Sequence, residues 1–365
     1  MKIAHVLSYP YHGGIQEYVV NLCKEQSITH EVSVFTSCNA EMRKVPGVKY
    51  YECHPFLTLF RTLFIPSLYF KIMRADLDIV HVHFPFPLGS DLACFLAKFK
   101  KCTVVATYHC DIELDMQKKW SFLYKFLKSF HDSFLVPNAL KKVDRIIVTT
   151  KSFFETSRIL RSFSTKVVII PVGVDVSHFT PNYEYPRKLL FVGRVIPEKG
   201  IEYLIRSMKF ANFDLSIIGK ATSRSYYNYL QDLTKQLGLT SQVHFMGFVP
   251  PSDLAKYYGN VGAVVLPSIN RLEAFGITIL ESFASGKPVI VTDLAGPSSL
   301  VTNKYGRVVP KGDPEAIAKA ASEIFEEGRM AEIGKEARAL VEREYSWVSI
   351  SARIEKIYSE IIRAI

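Results

Sequence analysis

Residues 263–291 read AVVLPSINRLEAFGITILESFASGKPVIV. The run 263–266 is apolar without alternation, as in a strand buried on both faces. A loop with Glu273 and Gly276 follows, then apolar residues at helical spacing over 278–284, then a second apolar run at 288–291. Apolar strands separated by helices form a parallel sheet covered on both sides.

The same alternation extends through the chain. In the second half, 189–192, 214–218, 243–245 and 306–309 join the two runs above as strands. Helices fall near 200–208, 225–237, 251–258, 314–326 and 329–344. In the first half, 3–7, 31–36, 79–83, 103–108, 145–149 and 167–171 read as strands, with helical spacing at 16–25 and 90–99. The expected class is α/β, with two doubly wound Rossmann-like domains. These are residues 1–172 and 173–345, joined near 173–186, with an amphipathic helix at 346–365. Such folds bind ligands at the carboxyl ends of their strands, here expected to face each other across a cleft.

Composition agrees. A chain of 365 residues suits two domains. With 48% apolar and 22% charged residues it can bury real cores, which excludes long disorder. No run is long and apolar enough to span a membrane, and the apolar stretch after Lys2 ends at Pro10 and reads as a strand, not a signal peptide. Cys23, Cys38, Cys53, Cys94, Cys102 and Cys110 include no CxxC pair, which excludes zinc-ribbon and thioredoxin-type readings and suggests reduced, cytosolic thiols. The net charge of +10 is uneven: residues 1–172 hold 22 of the 45 basic residues but 14 of the 35 acidic ones. A one-sided basic surface suits nucleic acid, anionic lipid or phosphorylated substrates, or is simply a solvated face.

Two motifs carry chemistry. In the stretch from Glu273 to Glu281, Glu273 sits at a strand's carboxyl end and Gly276 permits close backbone approach. The N–H groups of Phe275, Gly276, Ile277, Thr278 and Ile279 then face an anion at a helix start. Glu281, about one turn on, reaches a neutral hydroxyl such as a ribose. In Gly193-Arg194-Val-Ile-Pro-Glu-Lys199-Gly200, two cations flank a turn between strand and helix and can neutralise a pyrophosphate, Arg194 as a fork and Lys199 as a point charge. Each motif alone also fits a capped helix start or a basic turn.

Together, GR-x4-KG and E-x7-E resemble the retaining nucleotide-sugar glycosyltransferases of family four, which have the GT-B fold, and the likeness covers nearly the whole chain. Tyr9-Pro10 with Gly13-Gly14 resembles the family's N-terminal glycine loop. His81-Val-His83 and Thr107-Tyr108-His109 match its strand ends, Ile170–Asp175 its interdomain segment, and Gly247-Phe248-Val249 its base-binding strand end. The chain departs from the pattern at Val172, where asparagine is usual, and at Lys220-Ala221-Thr222 after Gly219.

The resemblance implies that Arg194 and Lys199 hold the donor diphosphate and that Glu273 meets the sugar hydroxyls with the backbone of Phe275 and Gly276. Glu281 would take the ribose, Phe248 and Val249 the base. Gly219 would lie along the donor, Gly14 near the phosphate, and His109 beside the transferring sugar as a catalytic residue with Glu273. Retention would proceed by front-face attack within an ion pair. The donor would be a UDP- or GDP-type sugar, with no metal and no other cofactor. His12 and His83 are candidates for the acceptor side, and His5, inside the first strand, reads as structural.

Two first-domain segments suggest the acceptor. In 118–134, Trp120, Leu123, Tyr124, Leu127, Phe130 and Phe134 share one helical face, with Lys118, Ser121, Lys125, Lys128 and Ser129 opposite. Residues 56–74 are aromatic-rich with Arg61, Lys71 and Arg74, and could dip into a bilayer. Both could instead pack on the sheet. The leading expectation is a peripheral enzyme on an anionic, cytosolic membrane face, acting on a lipid or lipid-linked glycan. A soluble sugar phosphate or polysaccharide acceptor, a nucleotide-sugar 2-epimerase and an inactive subunit are the rivals. Nucleic-acid binding has no supporting motif.

Overall fold

The computed structural model describes residues 1–7, 14–37, 43–59, 62–110, 122–270, 273, 275–326 and 328–364. The chain divides into two compact units: Met1–Val172 with Trp347–Ile365, and Gly173–Ser346.

Unit 1 runs β1 (Lys2–Leu7), α1 (Gly14–Gln26), β2 (Glu31–Ser37), β3 (Lys49–Cys53), β4 (Leu57–Leu59), β5 (Thr62–Phe64), α2 (Pro66–Arg74), β6 (Ile79–Phe84), α3 (Gly89–Phe99), β7 (Thr103–Tyr108), α4 (Phe122–Phe130), α5 (Val136–Lys142), β8 (Arg145–Val148), α6 (Lys151–Thr156) and β9 (Val167–Ile169). Its seven-stranded sheet has the order β3-β2-β1-β6-β7-β8-β9, with every pair parallel. Every residue of β6 and β7 is buried, His81 and His83 included, as befits central strands covered on both faces.

Unit 2 runs β10 (Lys188–Val192), α7 (Ile201–Ser207), β11 (Asp214–Ile218), α8 (Arg224–Gln236), β12 (Val243–Gly247), α9 (Pro251–Gly259), β13 (Ala263–Leu266), α10 (Ile277–Ala284), β14 (Val289–Thr292), α11 (Ala295–Ser298), β15 (Gly306–Val309), α12 (Pro314–Glu326) and α13 (Met330–Leu340). Its parallel sheet has the order β12-β11-β10-β13-β14-β15. Leu189, Phe191, Leu215, Ile217, Val265 and Ile290 form the centre of its core. Each such side chain contributes about 1.5–3 kcal/mol by leaving water. Val174 N–H donates to Tyr345 O at 2.8 Å, so the chain is paired with itself where unit 2 begins and ends.

The last helix, α14 (Trp347–Ala364), belongs to unit 1. Its buried stripe of Ile350, Ile354, Ile357, Tyr358 and Ile361 follows helical spacing, and Trp347 packs edge-on against Tyr18 at 5.2 Å.

Segment 56–74 is not one amphipathic stretch. Leu57 pairs with Phe64 in an antiparallel hairpin, and Pro66 then opens α2, as proline does at a first helical position. Leu68 and Ile72 are buried under α2, while Phe56 and Phe70 are exposed. The strand β3, made of KYYEC, was also missed, because two adjacent tyrosines and a glutamate break the apolar pattern of an edge strand. No disulfide joins the five described cysteines to one another; Cys38 lies outside the described residues.

Candidate functional site

The carboxyl edge of the unit 2 sheet gathers the motif residues. Gly193 follows β10, Gly219 follows β11, and Gly247 ends β12. Gly193 N–H donates to Ile218 O at 3.0 Å, and Gly219 N–H to Gly247 O at 2.8 Å. A Cβ at Gly219 would lie 1.7 Å from Gly193 O, so the strand ends approach more closely than any side chain allows. Gly200, left-handed at φ 64°, lets the turn after Lys199 lie against Pro267 O in the same way.

That turn places Lys199 beside the loop after β13. Lys199 Nζ forms a largely buried ion pair with Glu273. Ser268 Oγ donates to the same carboxylate oxygen at 3.1 Å. Arg194 is exposed and makes no ion pair with a described residue. Among the described residues the edge therefore presents Arg194 as an unpaired cation and Lys199 as one that a bound anion can draw away from Glu273.

Gly276 caps α10 at φ 86°, where its missing Cβ avoids Leu266 and Ile279. Phe275 is buried beside it. Ile279 does not serve as an open donor: its N–H is bonded to Gly276 O at 2.9 Å, and its side chain is buried. Ile277 and Thr278 are half-buried, and Thr278 Oγ1 donates to Val192 O at 3.4 Å. Tyr258 OH donates to Glu281 Oε2 at 2.5 Å. Burial, together with that carboxylate, holds the Tyr258 hydroxyl well above its ordinary pKa, so it stays a proton donor. The sequence reading missed Tyr258. At the end of α9, it carries no local motif. Phe248 stands exposed at 68% beyond β12, and Val249 is buried.

Unit 1 gathers histidines at the matching edge of its sheet. The register sets His5 against His81, and the strand period puts His81 and His83 on one face. His109, after β7, is half-buried. His5 Nδ1 lies 3.1 Å from His83 Nε2, and His83 Nδ1 lies 3.1 Å from His109 Nε2. Tyr358 of α14 and Thr107 occupy the two nitrogens of His81 at 2.5 and 2.7 Å. Burial lowers His5 to about 4 and His109 to about 3, and holds His81 and His83 well below their ordinary value. His83 therefore does not face an acceptor: it is fully buried and both ring nitrogens are taken. His5 is fully buried, with its ring nitrogens on His83 and Gln26. Gly14 is exposed at the start of α1; His12 lies outside the described residues.

Nitrogens of His5, His81 and His83 fall within 4.8 Å of one another, close enough for metal ligands. The donor set contains no thiolate or carboxylate, and each of these nitrogens already has a hydrogen-bond partner.

The helix α4 and the turn that follows it also show their faces. Phe126, Leu127, Phe130 and Phe134 are exposed rather than packed on the sheet. The inward anchor is His131, whose ring bonds Asp91 and Asp132 at 3.0 Å each. Burial alone would lower this histidine, but the two carboxylates prevail and raise it to about 9. Trp120, Lys118 and Ser121 lie outside the described residues, and so do the side chains of Leu123 and Tyr124.

Comparison with known proteins settles the family. The model "Glycosyltransferase Family 4" matches residues 12–178, and "Glycosyl transferases group 1" matches 177–347. The D-rhamnosyltransferase WbpZ of Pseudomonas aeruginosa is 30% identical over 346 residues, covering 90% of this chain and 87% of its own. The chain is a family-four glycosyltransferase. A phosphatidyl-myo-inositol mannosyltransferase of Mycolicibacterium smegmatis is 26% identical to this glycosyltransferase, over 99% of this chain and 94% of its own. The structure of Anabaena Alr3699/HepE in complex with UDP superimposes with a TM-score of 0.78 at 17% identity, covering 99% of the glycosyltransferase and 100% of that chain. Two Rossmann-like units with these structural neighbours are the GT-B fold. Among the described residues, no helix of the glycosyltransferase is long and apolar enough to cross a membrane.

Proposed function

We propose that this glycosyltransferase is a retaining enzyme that moves a hexose from a nucleoside diphosphate sugar to a lipid or lipid-linked glycan at a cytosolic membrane face. The single observation that carries the donor chemistry is the edge built by Arg194, Lys199 and Glu273. Breaking the bond between sugar and phosphate builds negative charge on the diphosphate. Arg194 and Lys199 neutralise it together with the N–H groups around Gly276, so the charge needs no metal ion. Lys199 moves from Glu273 to the phosphate, and Glu273, still held by Ser268, is left to accept hydrogen bonds from sugar hydroxyls.

Glu281, oriented by Tyr258, takes the ribose hydroxyls, while Phe248 and Val249 lie against a UDP- or GDP-type base and Gly219 along the donor. Gly14 approaches the phosphate, and His109 meets the transferring sugar. The bond from the anomeric carbon to the leaving oxygen breaks, and the acceptor hydroxyl attacks from the same face. Its proton passes to the departing phosphate oxygen, which gives retention without a protein nucleophile. In this scheme unit 2 is the donor half and unit 1 the acceptor half.

The lipid assignment draws on the exposed apolar stripe of Phe126, Phe130 and Phe134 in the more basic half of the chain. The phosphatidyl-inositol acceptor named for the mycobacterial relative agrees with it. Labelled nucleotide sugars with membrane lipid test the proposal. Label in the organic phase supports it; label confined to water-soluble products moves the acceptor to a sugar phosphate or polysaccharide.

A further inference from the structure

Three rings in unit 1, two of them fully buried, form a line with a fixed end. Gln26, fully buried at the end of α1, sets Oε1 2.8 Å from His5 Nε2. From there the line runs through His83 to His109 Nε2 by the two 3.1 Å bonds already described. Ring centroids step by 5.4 Å at each link, at interplanar angles of 29° and 23°. Among the described residues, His109 Nδ1 makes no hydrogen bond.

A neutral imidazole has one N–H and one lone pair. Three neutral imidazoles joined end to end therefore have two proton arrangements: every N–H points toward Gln26, or every N–H points away. An amide oxygen only accepts. With Gln26 Oε1 against His5, each ring carries its proton on Nε2, and His109 Nδ1 keeps an open lone pair. Burial keeps all three rings neutral near pH 7, so no extra proton breaks the sequence. Tyr18 closes the side of the line, edge-on to His83 at 5.8 Å and to His109 at 4.9 Å.

We propose that Gln26, His5 and His83 are positioning residues that hold the His109 proton on Nε2 and present its Nδ1 as an acceptor to a hydroxyl of the transferring sugar. The proposal rests on the reading of His109 as the sugar-facing histidine. A group that fixes a histidine's tautomer can matter greatly to turnover while touching no substrate.

The test uses the full chain labelled with ¹⁵N-histidine, with ring signals assigned by His109→Ala. At neutral pH the His109 ring should be neutral, with its proton on Nε2. His83→Asn keeps an oxygen near the place of Nδ1 and should preserve that tautomer, with kcat within about threefold of wild type. His83→Leu and the milder Gln26→Met should mix the two tautomers and lower kcat by about tenfold or more, with the donor KM within about twofold. A melting temperature close to wild type for Gln26→Met separates this effect from misfolding.

A proton found on His109 Nδ1 would show the line running the other way and overturn the proposal. So would tautomers that do not respond to His83→Leu and Gln26→Met, or full turnover despite mixed tautomers. One equivalent of zinc held by His5 and His83 in the purified protein would replace the hydrogen-bonded line altogether. If the tautomers behave as expected but His109→Ala turns over normally, the line stands and the sugar-facing reading of His109 falls.

Discussion

Lys199 and Glu273 are paired at the carboxyl edge of the unit 2 sheet, 74 residues apart in sequence and each less than one-fifth exposed. Under the proposed donor chemistry, the free enzyme stores its phosphate-binding cation on a carboxylate. Donor binding must exchange one partner of Lys199 for another.

Glu273→Gln should therefore separate binding from chemistry. The nucleoside diphosphate should bind as tightly as to wild type or tighter, because Lys199 no longer has a competing anion. Turnover should fall by about a hundredfold, as expected when a preorganised polar contact to the reacting sugar is lost. Lys199→Ala should instead weaken the nucleoside diphosphate itself by about ten- to a hundredfold. Calorimetry with the nucleotide and steady-state kinetics with the sugar donor check both.

In the proposed scheme Tyr258 acts on the ribose through Glu281, to which its hydroxyl donates. Tyr258→Phe should raise the donor KM by about tenfold or more, since a hydrogen bond to a charged group is worth about 1.5–3 kcal/mol. The difference from wild type should vanish with a donor whose ribose lacks its hydroxyls. A penalty of equal size on the deoxy donor would place Tyr258 in the packing of unit 2 only.

Gly219→Ala tests the close approach of the strand ends. The added methyl would meet Gly193 O, a backbone atom that cannot move without disturbing β10. The variant should lose about 3 kcal/mol of stability, read by thermal or denaturant unfolding.

Stability should peak near neutral pH. His5, His81, His83 and His109 have folded pKa values below the ordinary 6.5. Below that value the unfolded chain binds more protons than the folded one. The stability they contribute is complete above about 6.5 and is lost as pH falls toward 4. His131 works in the opposite sense. Its raised value, about 9, gives stability that is present below 6.5 and lost as pH rises through 9. Melting curves at pH 5, 7 and 9 should show both limbs, and His131→Gln should flatten the alkaline one.

The exposed stripe after β7 predicts membrane contact. Wild type should float with anionic vesicles at low salt, and a Phe126→Ser, Phe130→Ser, Phe134→Ser variant should not, since each phenyl ring withdrawn from water contributes about 1.5–3 kcal/mol. Wild type left in the soluble fraction would remove the membrane from the account.

The sequence made the central parallel strands plain, because β6, β7, β13 and β14 are mostly apolar, β-branched runs and parallel sheets bury both faces. It also made plain the residues whose chemistry is local, such as Glu273 beside Gly276. It did not show what depends on register. The line from Gln26 to His109 needs β1 beside β6, β6 beside β7, and the end of α1 over them. The one local hint was His81-Val-His83, whose period of two places both rings on one face. Tyr258 was equally hidden, since its partner lies 23 residues away on another helix. The hairpin at β4 and β5 was not read from the sequence, because the aromatic composition at 56–64 fits a strand as well as a helix.

The most direct measurement is sugar transfer itself: purified protein, a panel of labelled nucleotide sugars, total membrane lipid, and Glu273→Ala beside wild type. The account predicts that one donor puts label into the organic phase with wild type and not with Glu273→Ala. No turnover of any donor by wild type, with lipid or soluble acceptors, would contradict it and leave an edge that binds nucleotide without transferring sugar.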